Sequence, residues 1–136
     1  MIYYYCGRYS LKYAGELFVL LQQISHRISD NPRILSVGCG PCTDLFAFEA
    51  FFRMYKPDKR IEYHGLEKST LWKDIHDFIV QHGKKHNFSK VKITYLDVLN
   101  EYQKIEEIIK NEKPNIITFQ YVISDIVKYY HVDYVK

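Results

Sequence analysis

The chain has 136 residues, of which 47% are hydrophobic and 16% aromatic, a composition typical of one globular domain and not of a disordered segment. No apolar run approaches the roughly 20 residues of a membrane-spanning helix, and the first residues lack the charged-then-apolar order of a signal peptide. The net charge of +3 comes from interspersed residues of both signs, so no basic stripe indicates a nucleic-acid surface. We therefore expect a cytoplasmic protein with neither a membrane nor a nucleic acid as its partner.

The first half of the chain alternates between helical and strand patterns. Apolar residues at helical spacing predict a helix from Ser10 to Ile28, and the turn residues "SDNP" end it. A short apolar run predicts a strand from Arg33 to Val37. The next helix can begin at Pro41 or Thr43, and a second strand is expected from Ile61 to Leu66.

The second half continues the alternation. A helix capped by Ser69 or Thr70 is expected to end at Gly83, and a strand follows from Val91 to Tyr95. The inward face of that helix is expected to carry four apolar residues: Leu71, Ile75, Phe78 and Ile79. The remaining elements are expected to be two helices and a strand between them: Tyr102 to Ile109, Ile116 to Phe119 as the strand, and Ser124 to Tyr134.

Regular alternation of this kind predicts an α/β domain with parallel strands, right-handed crossovers and helices on both faces of the sheet. A small-molecule site in such a domain lies at the carboxyl ends of the strands, where the strand order reverses. Four short segments occupy those ends: Gly38 to Cys42, Glu67 to Lys68, Asp97 to Val98, and Gln120 to Tyr121. We expect residues 1–30 to form an N-terminal helical segment and residues 31–136 the ligand-binding domain.

The stretch "LSVGCGPCTD" permits two interpretations. The spacing of Cys39 and Cys42 is that of a thiol redox centre, and a helix N-terminus favours a thiolate. However, the strand runs straight into Gly38, with no tryptophan before the first cysteine and no later proline placed to face the pair. Gly38 and Gly40 instead suit a loop whose backbone a ligand approaches, and the following helix offers free amides to it. We favour this second interpretation.

Two carboxylates narrow the class of ligand. Glu67 ends the second predicted strand, where a carboxylate can accept both hydroxyls of a ribose. Asp97 ends the third, where it can accept a hydrogen bond from an exocyclic adenine amine. Thr43 stands where a dinucleotide fold would have its third glycine, which argues against a nicotinamide cofactor. These features suit a nucleoside without a pyrophosphate, such as S-adenosylmethionine.

With these residues in place, the chain resembles the class I, Rossmann-like S-adenosylmethionine-dependent methyltransferases. Four segments carry the resemblance between Arg33 and Ile126, in the order of that family's motifs: "ILSVGCGPCTD", "YHGLEKS", "ITYLDVLN" and "PNIITFQYVISDI". The resemblance implies a three-layer Rossmann-like sandwich with a mostly parallel sheet, about four strands of it here, and an N-terminal helix. It also implies S-adenosylmethionine as cofactor and methyl transfer as the activity.

Carried over residue by residue, the resemblance implies a set of cofactor-binding positions: Ser36, Gly38, Cys39, Gly40, Glu67, Lys68, Asp97, Val98 and Gln120. Glu67 would bind the ribose, Asp97 the adenine amine, and the Val98 amide a ring nitrogen. Tyr121 would approach the substrate. Ser36 replaces the acidic residue usual in the family, and Cys42 replaces its third glycine. No catalytic residue and no methyl acceptor are implied.

Family members usually have seven strands, and this sequence supplies four. We expect either a truncated chain or a sheet completed by a second copy or another partner, because an uncovered sheet edge invites pairing. Two alternatives stay open: a non-catalytic cofactor-binding or regulatory module of the same fold, and a nicotinamide-type Rossmann protein.

Three histidines, His76, His82 and His86, lie close together in the sequence. Gly83 interrupts the helix between them, and they lack a cysteine or carboxylate that would complete a recognisable set of zinc ligands. We therefore interpret them as polar surface residues and predict no metal site.

Overall fold

A computed structural model of the chain describes residues 6–83 and 87–119. Its strands are β1 (Arg33–Val37), β2 (Ile61–Glu67), β3 (Phe88–Tyr95) and β4 (Ile116–Thr118). They form one sheet in the order β3-β2-β1-β4, and each neighbouring pair is parallel. The prediction of four parallel strands is confirmed, and β1 has the predicted bounds because its apolar run is covered on both faces.

The described helices are α1 (Leu11–Gln23), α2 (Thr43–Tyr55), α3 (Lys73–His82) and α4 (Tyr102–Glu112). A π-helical turn, Cys6–Ser10, precedes α1, and the predicted continuation to Ile28 is instead a 3-10 turn, Ser25–Arg27. The helix predicted from Ser124 to Tyr134 lies outside the described residues. Within residues 6–83 and 87–119, every helix falls short of the length and apolar content needed to traverse a bilayer.

The sheet lies between two helical layers. On one face Ile34, Ile61 and Tyr63 pack against buried residues of α1, α2 and α3. On the other face Leu35, Val37 and Leu66 pack beneath Ile105 and Ile108 of α4. The fold is therefore a three-layer α/β sandwich, compatible with the Rossmann-like class, and the strand order places β1 at the point where the order reverses.

The inward face of α3 differs from the sequence-based expectation. Ser69 caps a 3-10 turn, Thr70–Trp72, and the α-helix begins only after it. Ile75 and Ile79 face the core as predicted, whereas Leu71 and Phe78 are 74% and 62% exposed. The buried residues of α3 are His76 and Ile79. The prediction of His76 as a surface residue is wrong, because this residue is 1% exposed.

Candidate functional site

The glycine loop, residues 38–42, connects β1 to α2 at the carboxyl edge of the sheet. Three of its residues have left-handed backbone conformations, with φ of 66° at Gly38, 48° at Gly40 and 58° at Cys42. A Cβ added at Gly40 would meet none of the described atoms within 4 Å. The loop therefore turns sharply out of the strand and leaves the backbone at Gly40 open to close approach by a ligand.

Glu67, at the end of β2, is bound to this loop. Its Oε2 accepts a hydrogen bond from the Gly40 amide at 2.7 Å. Its Oε1 accepts from the amides of Lys68 at 3.0 Å and Ser69 at 3.1 Å. An ionised carboxylate has about four lone-pair sites, so these three amides leave one for a further donor. The carboxylate is thus held in a fixed position beside the loop.

Asp97 follows β3 and forms an ion pair with Lys68, the residue after Glu67. The Lys68 Nζ is 3.4 Å from Asp97 Oδ2, which also accepts from the Asn100 side chain at 2.8 Å. The Leu99 amide donates to Asp97 Oδ1 at 3.1 Å. Against the effect of burial, these donors lower the pKa of Asp97. The structure therefore brings Glu67, Lys68 and Asp97 together along one edge.

The other predicted site residues divide into two groups. Ser36 is 3% exposed within β1, and the Val98 side chain packs against the core cluster beneath α4. Their side chains therefore belong to the interior, and only the backbone of Val98 remains to contact a ligand as predicted. Gln120 and Tyr121 lie outside the described residues.

Asp44 is a buried polar residue that the sequence interpretation missed. It lies in the first turn of α2 and is 2% exposed. Its Oδ1 accepts from the Tyr63 hydroxyl at 2.8 Å, and its Oδ2 accepts from the Thr118 hydroxyl at 2.6 Å. The Asp44 carboxylate thus connects β2 and β4 to α2, the helix that follows the glycine loop. The sequence signal that could have identified Asp44 is its position, directly after the loop and in the first turn of an apolar helix, where a negative charge is favourable.

The two cysteines of the loop face inward and not toward a ligand. Cys39 is 7% exposed and Cys42 0%, and both thiols are free. Their neighbour is His76 of α3, whose Nε2 lies 3.9 Å from Cys39 Sγ and 2.5 Å from the Gly40 carbonyl oxygen. On the other side of the ring, Nδ1 is 2.7 Å from the Tyr95 hydroxyl.

The electrostatics of this cluster follow from its burial and its hydrogen bonds. Interaction with the neighbouring Cys42 sulfur and burial together raise the pKa of Cys39. The same interaction lowers the pKa of Cys42 to about 7, and the His76 ring adds to this against the effect of burial. Although burial opposes it, hydrogen bonds to Cys42 and to the Gly40 carbonyl raise the pKa of His76.

A second buried histidine lies on the opposite face of the sheet. His64 Nδ1 donates to Glu112 Oε2 at 2.7 Å, and its Nε2 accepts from the Thr94 hydroxyl at 2.7 Å. These partners satisfy a neutral ring. Burial lowers the pKa of His64 below its ordinary 6.5, with Lys92 and Lys90 adding to the shift and Glu112 opposing it.

This environment predicts a pH dependence of folding. Because the folded pKa of His64 is lower than the unfolded one, the contribution of His64 is fully present above about pH 6.5 and is lost as pH falls toward the folded pKa. We expect His64→Gln to flatten the decrease in unfolding free energy between about pH 7.5 and about pH 5.5. Denaturant titrations at both pH values measure this slope.

The matched control is His26→Gln, at an exposed position, which should keep the wild-type slope. An imidazole NMR titration that placed the pKa of His64 above 6.5 would contradict the prediction.

Comparisons with protein-family models, with curated proteins and with solved structures give no significant match for this chain.

Proposed function

We propose that this domain binds S-adenosylmethionine at the carboxyl edge of its sheet and serves methyl transfer to an unidentified acceptor. The observation that carries the proposal is the 2.7 Å hydrogen bond between the Gly40 amide and the Glu67 carboxylate. It joins the loop after β1 to the acidic residue after β2. A nucleoside whose tail passes the glycine backbone while its ribose meets a carboxylate requires these two groups side by side.

The strand order supports this location. In open parallel sheets, ligands bind outside the carboxyl ends of the strands, at the point where the order reverses. Here β1 has β2 on one side and β4 on the other, so that point lies at the end of β1. The glycine loop begins there, and its positive φ angles let the backbone turn away from the sheet.

The residues present fit the cofactor. A Cβ added at Gly40 would meet no described atom within 4 Å, so no described side chain covers the backbone at this position. Glu67 retains one lone-pair site, enough for one ribose hydroxyl without breaking its three amide contacts. Asp97 is held by donors from Asn100, Leu99 and Lys68, which favour an ionised acceptor for the adenine amine.

When bound, S-adenosylmethionine supplies a methyl group already activated on its sulfonium. The task of this chain is then to hold the nucleoside and to orient the acceptor, and such positioning alone accounts for large rate effects. Glu67 and the loop fix the ribose end, and Asp97 fixes the adenine end. A non-catalytic module of the same fold would share this binding and lack the transfer.

Calorimetry on the full chain with S-adenosylhomocysteine tests the proposal, with NAD as the comparison ligand. We expect binding of S-adenosylhomocysteine and none of NAD. Glu67→Gln should weaken binding roughly tenfold, because a hydrogen bond to a charged group is worth about 1.5 kcal/mol at the lower end of its range. We use the lower end of that energy range because the three amide contacts leave the Glu67 carboxylate a single lone-pair site for the ribose.

Glu62→Gln is the matched control, since Glu62 is an exposed carboxylate on the same strand at the opposite edge of the sheet. It should leave the affinity unchanged. Equal affinity in Glu67→Gln and wild type would show that the ribose site is elsewhere, and a lack of binding by the folded wild type would refute the cofactor. Transfer of a labelled methyl group to a panel of acceptors then separates an enzyme from a binding module.

A further inference from the structure

Beneath the glycine loop lies a cluster of groups that nucleoside binding does not use. The Sγ atoms of Cys39 and Cys42 and a ring nitrogen of His76 all lie within 4.8 Å of one another, and all three residues are buried. The loop contributes the two sulfurs, and α3 contributes the imidazole. The sulfurs face the core, whereas the open side of the loop is at Gly40, so the cluster and the proposed ligand site occupy opposite sides of one backbone segment.

We propose that Cys39, Cys42 and His76 form a binding site for a thiolate-preferring divalent metal ion of the zinc type. Thiolate and imidazole donors are those that zinc favours, and oxygen-preferring ions such as magnesium or calcium do not select them. Two thiolates balance the charge of the ion within an apolar core. The site departs from the sequence-based expectation because His76 is buried on the inward face of α3 and does not lie at the surface.

The donor spacing is close to that of a zinc centre. A tetrahedral ion with Zn–S of about 2.3 Å and Zn–N of about 2.0 Å separates sulfur and nitrogen ligands by about 3.5 Å. The observed distance from Cys39 Sγ to His76 Nε2 is 3.9 Å. For this pair the difference is a few tenths of an ångström, and all three donor atoms lie within 4.8 Å of one another. The Gly40 carbonyl oxygen, 2.5 Å from His76 Nε2, has to move aside when an ion binds that nitrogen.

Tyr95 supplies the support that a metal-bound histidine requires. Without metal, His76 Nε2 faces the Gly40 carbonyl, which can only accept, so Nε2 carries the proton and Nδ1 accepts from the Tyr95 hydroxyl. Metal binding at Nε2 moves the ring proton to Nδ1, which then donates to the Tyr95 oxygen. A phenol can serve in both roles, and partners of this kind orient metal-binding histidines.

The proton balance is explicit. Two neutral thiols become thiolates as the two metal–sulfur bonds form, so up to two protons are released to solvent. The histidine changes its tautomer without a net loss of protons. The oxidation states of the sulfurs and of the ion stay constant.

A cavity beside the cluster reaches its histidine. It has a volume of about 420 Å³ and lies between α3 and β3, with His76 and Tyr95 among its lining residues. The two cysteines do not line it, so the imidazole side is the one that faces this cavity.

The test is a titration of the reduced, metal-free full chain with Co²⁺, a spectroscopic substitute for zinc. We expect one Co²⁺ per chain, near-ultraviolet absorption from thiolate-to-cobalt charge transfer, visible bands of a tetrahedral ion, and displacement by Zn²⁺. A wild-type protein that gives no charge-transfer absorption with excess Co²⁺ overturns the proposal, whatever the variants do. This readout is independent of S-adenosylhomocysteine binding, so each proposal can fail alone.

Variants locate the site. Cys42→Ser and His76→Gln should each reduce the absorption, and Tyr95→Phe should weaken metal affinity by about 10–100-fold while leaving the sulfur bands in place. Cys6→Ser and His82→Gln are the matched controls, a third cysteine and a second histidine of α3, and should titrate as wild type. Unchanged absorption in both Cys42→Ser and His76→Gln, or its loss in Cys6→Ser, would contradict the assignment.

Discussion

Replacing Asp44 with alanine is expected to lower the free energy of unfolding by roughly 2–4 kcal/mol, because it removes the acceptor of two hydroxyls at once. Tyr63 is 1% exposed, so its hydroxyl would be left buried without that partner. The hydroxyl of Thr118 is only partly buried and can regain a bond to water, which reduces its share of the loss. The Leu45 amide also loses its contact with the carboxylate. Denaturant unfolding measures the change.

A control variant separates the loss of these hydrogen bonds from the general effect of removing a negative charge at a helix N-terminus. Asp74→Ala is the matched control, since Asp74 also lies in the first turn of a helix but is exposed, and it should change stability by at most about 1 kcal/mol. In a Tyr63→Phe background the cost of Asp44→Ala should decrease, because one of the stranded hydroxyls is gone. A cost near zero in the wild-type background would mean that the carboxylate does not connect β2 and β4 as described.

The sequence predicted the elements well wherever one local pattern determined them. The strand Arg33–Val37 is a short, largely apolar run whose last four residues are buried, and turn residues stand on either side of it. The class of fold followed from the regular alternation of elements, and the edge that carries Glu67 and Asp97 followed from the class. These inferences need only periodicity and the parallel geometry of the sheet.

The cluster below the loop could not be predicted in the same way. Its cysteines and His76 are more than 30 residues apart in the sequence. His76 lies on the inward face of α3 with Ile79, and its ring nitrogens form hydrogen bonds with Tyr95 and with the Gly40 carbonyl. Those partners are distant in the sequence, so apolar spacing alone does not distinguish this buried histidine from a surface one. Asp44 was missed for a related reason, because its partners lie on two distant strands.

Gly65→Ala tests where the Cys39 sulfur lies. A Cβ at this position of β2 would stand 2.7 Å from Cys39 Sγ and 2.8 Å from Ile93 Cδ1, both too close for an unstrained contact. Alanine would otherwise be tolerated in a strand, so we attribute the expected destabilisation of about 1–3 kcal/mol to overpacking. Thermal or denaturant unfolding with a chelator present measures it on the metal-free chain.

A double-mutant cycle identifies the atom responsible. In a Cys39→Ala background the sulfur is absent, so Gly65→Ala should cost less there, with a coupling energy of about 0.5–3 kcal/mol. Gly15→Ala is the control, and it should raise the free energy of unfolding where Gly65→Ala lowers it. Gly15 lies in α1 with no described atom within 4 Å of an added Cβ, so alanine should stabilise the chain by up to about 1 kcal/mol. Equal costs of Gly65→Ala in both backgrounds would place the sulfur away from β2. The inward orientation of the thiols, on which the separation of metal cluster and nucleoside site depends, would then have to be abandoned.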